Sequence, residues 1–190
     1  MSRIATKNTN DLPIEVQEVI KVSAQLMGFT SNDALIMAHK PRTLSAFLGL
    51  VQVIYQSGTL PKSIKKLVGI MTSAASGCEY CHAHTSLSAL NNGEDENKIA
   101  AIWEYQTNPL FSDAERAALE VARNAALVPN AVTDQDFVDL ALHYNDEQIV
   151  ELVSVISLFG FLTRWNATFK TDIEVLPQQA LDQIQALAEI

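Results

Sequence analysis

An all-α fold is what this sequence predicts, on three observations. Apolar residues recur at i, i+3, i+4 and i+7 through almost every segment. Ser, Thr, Asn, Asp and Pro stand where such segments open, and Gly where they close. Strand signals are nearly absent, since there is no sustained period-2 alternation and the Asn92-Gly93 pair stops a helix rather than turning a hairpin.

Each element follows in order. Residues 14–27 set Val16, Val19, Ile20, Val22, Leu26 and Met27 on one stripe closed by Gly28. Ser31, Asn32 and Asp33 offer N-cap side chains to a short helix that stops near Pro41, because the residue before proline is pushed out of the α region. Residues 44–55 repeat the pattern and end at Ser57-Gly58. Pro61 suits the first turn of a helix carrying Ile64, Leu67, Val68, Met71 and Ala75, with Gly77 as its stop. A helix opening at the cysteines then runs to Asn91-Asn92-Gly93, and 94–105 reads as a short helix. Ser112 with Glu115 three residues on is a capping box for 113–127. Beyond Pro129, Thr133 caps the next helix, and Asn145-Asp146 opens a long apolar one through Trp165. Residues 178–190, after Pro177, form an amphipathic tail expected to be exposed or exchanged with a neighbouring copy. Residues 61–75 and 113–127 have similar lengths and Leu/Ala-rich faces, a faint echo of two related halves within one domain over 1–190.

Composition narrows the function classes. The chain has 190 residues, enough to bury a substantial core, and its hydrophobic share of 48% is high enough to suggest apolar surface shared between subunits. A net charge of −9 argues against nucleic acid and anionic membrane surfaces as partners. The polar opening up to Leu12 lacks the apolar core of a secretory signal, and the apolar run 149–163, interrupted by Glu151, is short for a bilayer span. A cytoplasmic location is therefore expected, where the two cysteines would be kept reduced and would be reactive rather than a structural staple.

Those cysteines lie in Gly77-Cys78-Glu79-Tyr80-Cys81-His82-Ala83-His84, with two of the four histidines directly behind them. If Cys78 opens the helix, free N–H groups and the positive end of the macrodipole stabilise its thiolate. His82 lies one turn from Cys78, and His84 nearly one turn from Cys81. Tyr80, Ala83, Leu87 and Leu90 share another face, read as the packing side, with Cys81–His84 the sheltered pair and Cys78 the more open sulfur. Cys78 to His82 also fits the C-x-x-C-H pattern of haem attachment, two cysteines and a histidine are half of a zinc site, and the pair also reads as plain packing. As a dithiol, one thiolate attacks a hydroperoxide to give a sulfenic acid, and the other closes a disulfide with loss of water. The dipole points to Cys78 as attacker and the histidine spacing to Cys81, and the sequence alone favours Cys81. Phe159, Phe161 and Phe169 read as core, Trp165 and Arg164 as packing residues with a pocket lining or subunit contact as the alternative, and His39 and His143 as surface or capping residues.

Residues 67–84, LVGIMTSAASGCEYCHAH, resemble the core motif of the alkylhydroperoxidase-D-like / carboxymuconolactone decarboxylase superfamily. FSDAERAAL at 111–119, Val132-Thr133-Asp134 and FLTRWN at 161–166 resemble its longer, peroxidase-related members, so the likeness covers about residues 45–175. It implies a helical bundle, a homo-oligomer (dimer, trimer or hexamer) and a thiol-dependent peroxidase needing no cofactor. The substrate would be an organic hydroperoxide or hydrogen peroxide, and the reductant a dithiol protein or small thiol. Cys78 and Cys81 match the redox pair and His84 the motif histidine, with His82, Lys66, Glu79 and Tyr80 as supporting candidates. The full proton relay of the family has a glutamate twelve residues before the first cysteine, where this chain has Lys66. An ammonium can stabilise a thiolate but cannot relay protons as a carboxylate does, which leaves either a relay rebuilt with Glu79 as candidate substitute or a weak peroxidase activity. Lactone decarboxylation has no use for a vicinal dithiol. The competing reading is a dithiol carrier or sensor that exchanges with partner proteins.

Overall fold

The computed structural model describes residues 1–56 and 58–188, the side chain of Leu26 excepted; the expected stop at Ser57 and the last two tail residues fall outside them. Among the described residues there is no strand. The α-helices are α1 (Ile14–Met27), α2 (Asn32–Met37), α3 (Pro41–Gln56), α4 (Lys62–Ala75), α5 (Glu79–Asn91), α6 (Glu96–Ala100), α7 (Asp113–Ala125), α8 (Asp134–Ala141), α9 (Asp146–Phe169) and α10 (Val175–Ala188).

α4 is the central helix, packed against α5, α7 and α9. Its Ile64, Leu67, Val68, Ile70 and Met71 are buried, and its buried Thr72 and Ser73 hydroxyls bond back to the Val68 and Gly69 carbonyls, so no polar group there is stranded. Gly69 is the close approach to α9: a Cβ there would sit 2.7 Å from the Phe159 ring. Lys65, 2% exposed, is held by Glu151 of α9 at 2.7 Å and by the Ile54 carbonyl at 2.8 Å. Glu151 also accepts the Thr59 N–H at 2.6 Å, so the acidic residue interrupting the apolar run ties α9 to the turn before α4. Burial raises the Glu151 carboxyl, but the Lys65 ammonium and the Thr59 and Leu60 N–H groups outweigh it and hold the group below its ordinary value.

Several boundaries differ from expectation. Pro41 opens α3 instead of closing α2, because proline's missing N–H costs nothing at a first helical position. The segment 94–105 breaks into α6 and a 3-10 turn, Ile102–Glu104. α9 has 24 residues and, by length and composition, could cross a membrane, so its length does not exclude a span as the shorter apolar run suggested. Its Leu152, Val155, Ile156 and Leu158 lie in the core. Its other side carries exposed Phe161, which stacks on Trp165 along an apolar groove of about 1050 Å³ with Arg164 and Phe169; of the three phenylalanines read as core, only Phe159 is buried.

The largest departure is the tail. α10 starts at Val175 with Pro177 in its first turn, and Ala180, Leu181 and Ile184 are buried against α5 and α6 of the same chain. An α5 lying between α4 and α10 has no single packing side, so Cys81, Thr85, Ser86 and Ala89 are buried along with Tyr80 and Ala83. The turn feeding α10 comes from Lys170, left-handed at φ 51, which ends α9 and swings residues 171–174 back towards α5.

Candidate active site

Gly77, at φ 66, makes the sharp turn out of α4 that a side chain would resist, and leaves Cys78 as N-cap of α5. The Cys78 Sγ accepts the Cys81 N–H at 3.4 Å, and the two sulfurs are 2.8 Å apart. Cys78 and Cys81 are 6% and 2% exposed. The hydrogen bond from the Cys81 thiol lowers the Cys78 pKa; burial opposes the shift and the Cys81 N–H adds to it. Cys81 moves the other way, raised by giving that hydrogen bond to Cys78 and by burial. Negative charge therefore settles on Cys78, the sulfur at the positive end of the helix.

Cys78 also has access. With His82 and Glu79 it lines a pocket of about 360 Å³ walled by Ile99, Ile102 and Trp103 and by Ile184 of α10. His82 occupies the position one turn on that its spacing predicted. Its Nε2 is buried without a hydrogen-bond partner among the described residues, and burial lowers its pKa, so a neutral imidazole faces the pocket at neutral pH. Glu79 is exposed at the pocket mouth.

His84 is placed differently from expectation. Its Nε2 lies 2.6 Å from Glu174, its ring stacks on Tyr80 with centroids 4.2 Å apart, and Phe29 meets it edge-on. The expected Cys81–His84 bond is not formed. Tyr80 donates its hydroxyl to Glu174 at 3.0 Å and accepts the Asp33 N–H at 3.2 Å, and Glu174 also accepts the Asn32 N–H. One carboxylate from the α9–α10 turn thus anchors α5 to the start of α2. Burial raises the Glu174 carboxyl, but the hydrogen bond and charge of His84 and the Asn32 N–H hold it below its ordinary value.

Lys66 does not reach the sulfurs. It donates to Ser88 at 2.6 Å and lies over the Tyr55 ring; burial, then repulsion from Lys62, lowers its pKa. Ser88 is ten residues along from Cys78, or about 15 Å down the helix axis, so an ammonium stabilising the thiolate is not what the structure contains.

Two groups at the site were missed by sequence reasoning. Glu174 is 90 residues from His84, and no periodicity links them. Asn166 of α9, 2% exposed, directs Nδ2 at the Cys81 Sγ, 3.7 Å away. It falls in the FLTRWN run, the one signal that marked it. Among the described residues no group of three or more His, Cys, Asp or Glu side chains could hold a metal ion.

Residues 41–124 match the carboxymuconolactone decarboxylase family. The uncharacterized protein YnjA of Escherichia coli (strain K12) is 29% identical over 141 residues, 74% of each chain. The crystal structure of the debrominase Bmp8 is 33% identical over 95% of this chain and 96% of that one, with a TM-score of 0.88; a cysteine-to-alanine variant in complex with 2,3,4-tribromopyrrole reaches 0.91 at 32% identity, over 97% of this chain and 100% of that one. A peroxidase-related protein from Ralstonia eutropha JMP134, described as an alkylhydroperoxidase AhpD core, shares the fold at 22% identity and a TM-score of 0.83, over 93% of this chain and 94% of that one. With the helical bundle and the paired cysteines opening α5, the chain belongs to the carboxymuconolactone decarboxylase family, on a fold shared with the alkylhydroperoxidase AhpD core.

Proposed function

We propose that the protein is a thiol-dependent peroxidase in which Cys78 attacks and Cys81 resolves. The observation that carries this reading is the asymmetry of the pair: sulfurs 2.8 Å apart, with Cys78 opening on the pocket and Cys81 backed by α9. The Cys78 thiolate takes the terminal oxygen of a hydroperoxide, giving a sulfenic acid and an alkoxide that leaves as alcohol after accepting a proton. His82, a neutral imidazole lining the same pocket, is the candidate for that proton delivery. The Cys81 thiol then displaces hydroxide from the Cys78 sulfur, and disulfide and water result. An external dithiol reduces the disulfide. His84, Tyr80 and Glu174 hold the helix that carries both sulfurs. Glu174, rather than Glu79, is the carboxylate in the position to support a histidine.

Anaerobic stopped-flow titration of the reduced protein with cumene hydroperoxide tests this. One dithiol should disappear and one alcohol form per subunit. A protein whose dithiol ignores hydroperoxide yet exchanges readily with thioredoxin-like partners is a carrier.

A second reading rests on the likeness to the debrominase, at 33% identity over nearly the whole chain. There the same thiolate would take a halogen from an aryl halide, the ring carbon would gain a proton, and Cys81 would release halide as the disulfide closes. Both readings use one polarity: a sulfur attacks an electron-poor heteroatom and its neighbour discharges the product. Bromide release from a brominated pyrrole, with cumene hydroperoxide inert, would select the second.

A further inference from the structure

The disulfide must reopen after every cycle, and the two sulfurs are not equivalent when it does. A thiolate reductant can approach through the pocket only at Cys78. Thiol–disulfide exchange is in-line, so attack there expels the Cys81 sulfur towards the protein interior. An anion would then form on a sulfur that is 2% exposed. Burial penalises that charge, and the rate depends on how well the leaving thiolate is stabilised.

α9 places one group for this. Its inward face runs through Leu152, Val155, Phe159 and Thr163 at helical spacing, and the next position on it is Asn166. The Asn166 Nδ2 donates to the Cys81 Sγ at 3.7 Å, while its Oδ1 is buried with no partner among the described residues. Asparagine is a poor interior helix residue, and a buried carbonyl without a donor is unfavourable. Two locally unfavourable choices at one position are expected where a functional contact overrides them.

We infer that Asn166 is a positioning residue that stabilises the Cys81 thiolate when the Cys78–Cys81 disulfide is reduced, directing the reductant to Cys78. The inference rests on the dithiol cycle proposed above. In the step, a reductant thiolate forms a bond to Cys78, the Cys78–Cys81 bond breaks, and its electron pair stays on Cys81 beside the Asn166 amide. The second reductant thiol gives its proton to the Cys81 thiolate and attacks the reductant sulfur of the mixed disulfide. The oxidised reductant departs, and Cys78 is left as thiolate.

The test bypasses peroxide. Diamide closes the disulfide, and its reduction by dithiothreitol is followed under pseudo-first-order conditions. Losing one hydrogen bond to a charged sulfur should slow reduction about tenfold in Asn166→Leu. In a Cys78→Ser background, the ultraviolet thiolate absorbance of Cys81 should appear at higher pH when Asn166 is also leucine, a shift that loss of packing alone would not produce. If the leucine variant does not fold, Asn166→Ala removes the same donor and is read by the same two measurements. An unchanged reduction rate together with an unchanged Cys81 titration overturns the inference while leaving the dithiol cycle standing. Failure of diamide to close the disulfide at all would overturn both.

Discussion

Glu174 offers the most quantitative test of how the site is held. Glu174→Ala removes the acceptor of three donors: the Asn32 N–H, the Tyr80 hydroxyl and the His84 Nε2. The carboxylate side chain is only 11% exposed, so solvent replaces these bonds poorly. Removing a buried carboxylate that accepts three hydrogen bonds leaves three donors without an acceptor and costs about 3–5 kcal/mol. Glu174→Gln keeps the shape and one acceptor oxygen but loses the charge, and should cost about 1–2 kcal/mol. Urea unfolding of the reduced protein gives both from the shift in midpoint, provided the slope is unchanged. The pH dependence has a definite sign. Glu174 is held below its ordinary value of 4.5, so the unfolded chain takes up its proton first. Its stabilisation is complete above 4.5 and is lost as pH falls through the lower folded value, so the gap between wild type and Glu174→Gln should close in acid. An alanine variant within about 1 kcal/mol of wild type would refute the argument, since exposed surface contacts behave that way.

Three further outcomes follow from the same geometry. Iodoacetamide should alkylate Cys78 with a midpoint below the ordinary thiol value of 9.0, and Cys81→Ala should raise that midpoint by removing the hydrogen bond that Cys81 donates. Gly69→Ala should destabilise by about 1–3 kcal/mol in thermal unfolding, because the new methyl meets the Phe159 ring at 2.7 Å and the packed core gives little. Arg116 spreads its guanidinium over the carbonyls of Tyr105, Gln106, Asn108 and Phe111 at 2.6–2.9 Å, holding the turn between α6 and α7. Arg116→Lys should lose about 1–3 kcal/mol by denaturant unfolding, since one ammonium cannot span four acceptors.

What the sequence made legible was local. The capping box at Ser112 and Glu115, the N-cap position of Cys78 and the one-turn spacing of His82 all come from neighbours in the chain, and each is found where its spacing put it. What stayed hidden was contact at long range. The tail reads as an exposed amphipathic helix because it is acidic and amide-rich, yet its apolar residues Ala180, Leu181 and Ile184 close over α5. Once α10 is in place the turn before it carries Glu174 to His84, and the histidine expected to serve a sulfur serves a carboxylate. Lys66 is the converse case. Its offset from the cysteines suggested electrostatic support, but α4 and α5 bring it to Ser88, towards the far end of the helix.

The most direct measurement of the central claim is the location of the first oxidation product. Reduced wild type, Cys78→Ser and Cys81→Ser are each treated anaerobically with one equivalent of cumene hydroperoxide and dimedone, then mapped by peptide mass spectrometry. The account predicts an intramolecular Cys78–Cys81 disulfide in wild type, a dimedone adduct on Cys78 in Cys81→Ser, and intact thiol in Cys78→Ser. An adduct on Cys81, or dithiols left untouched in wild type, would contradict it.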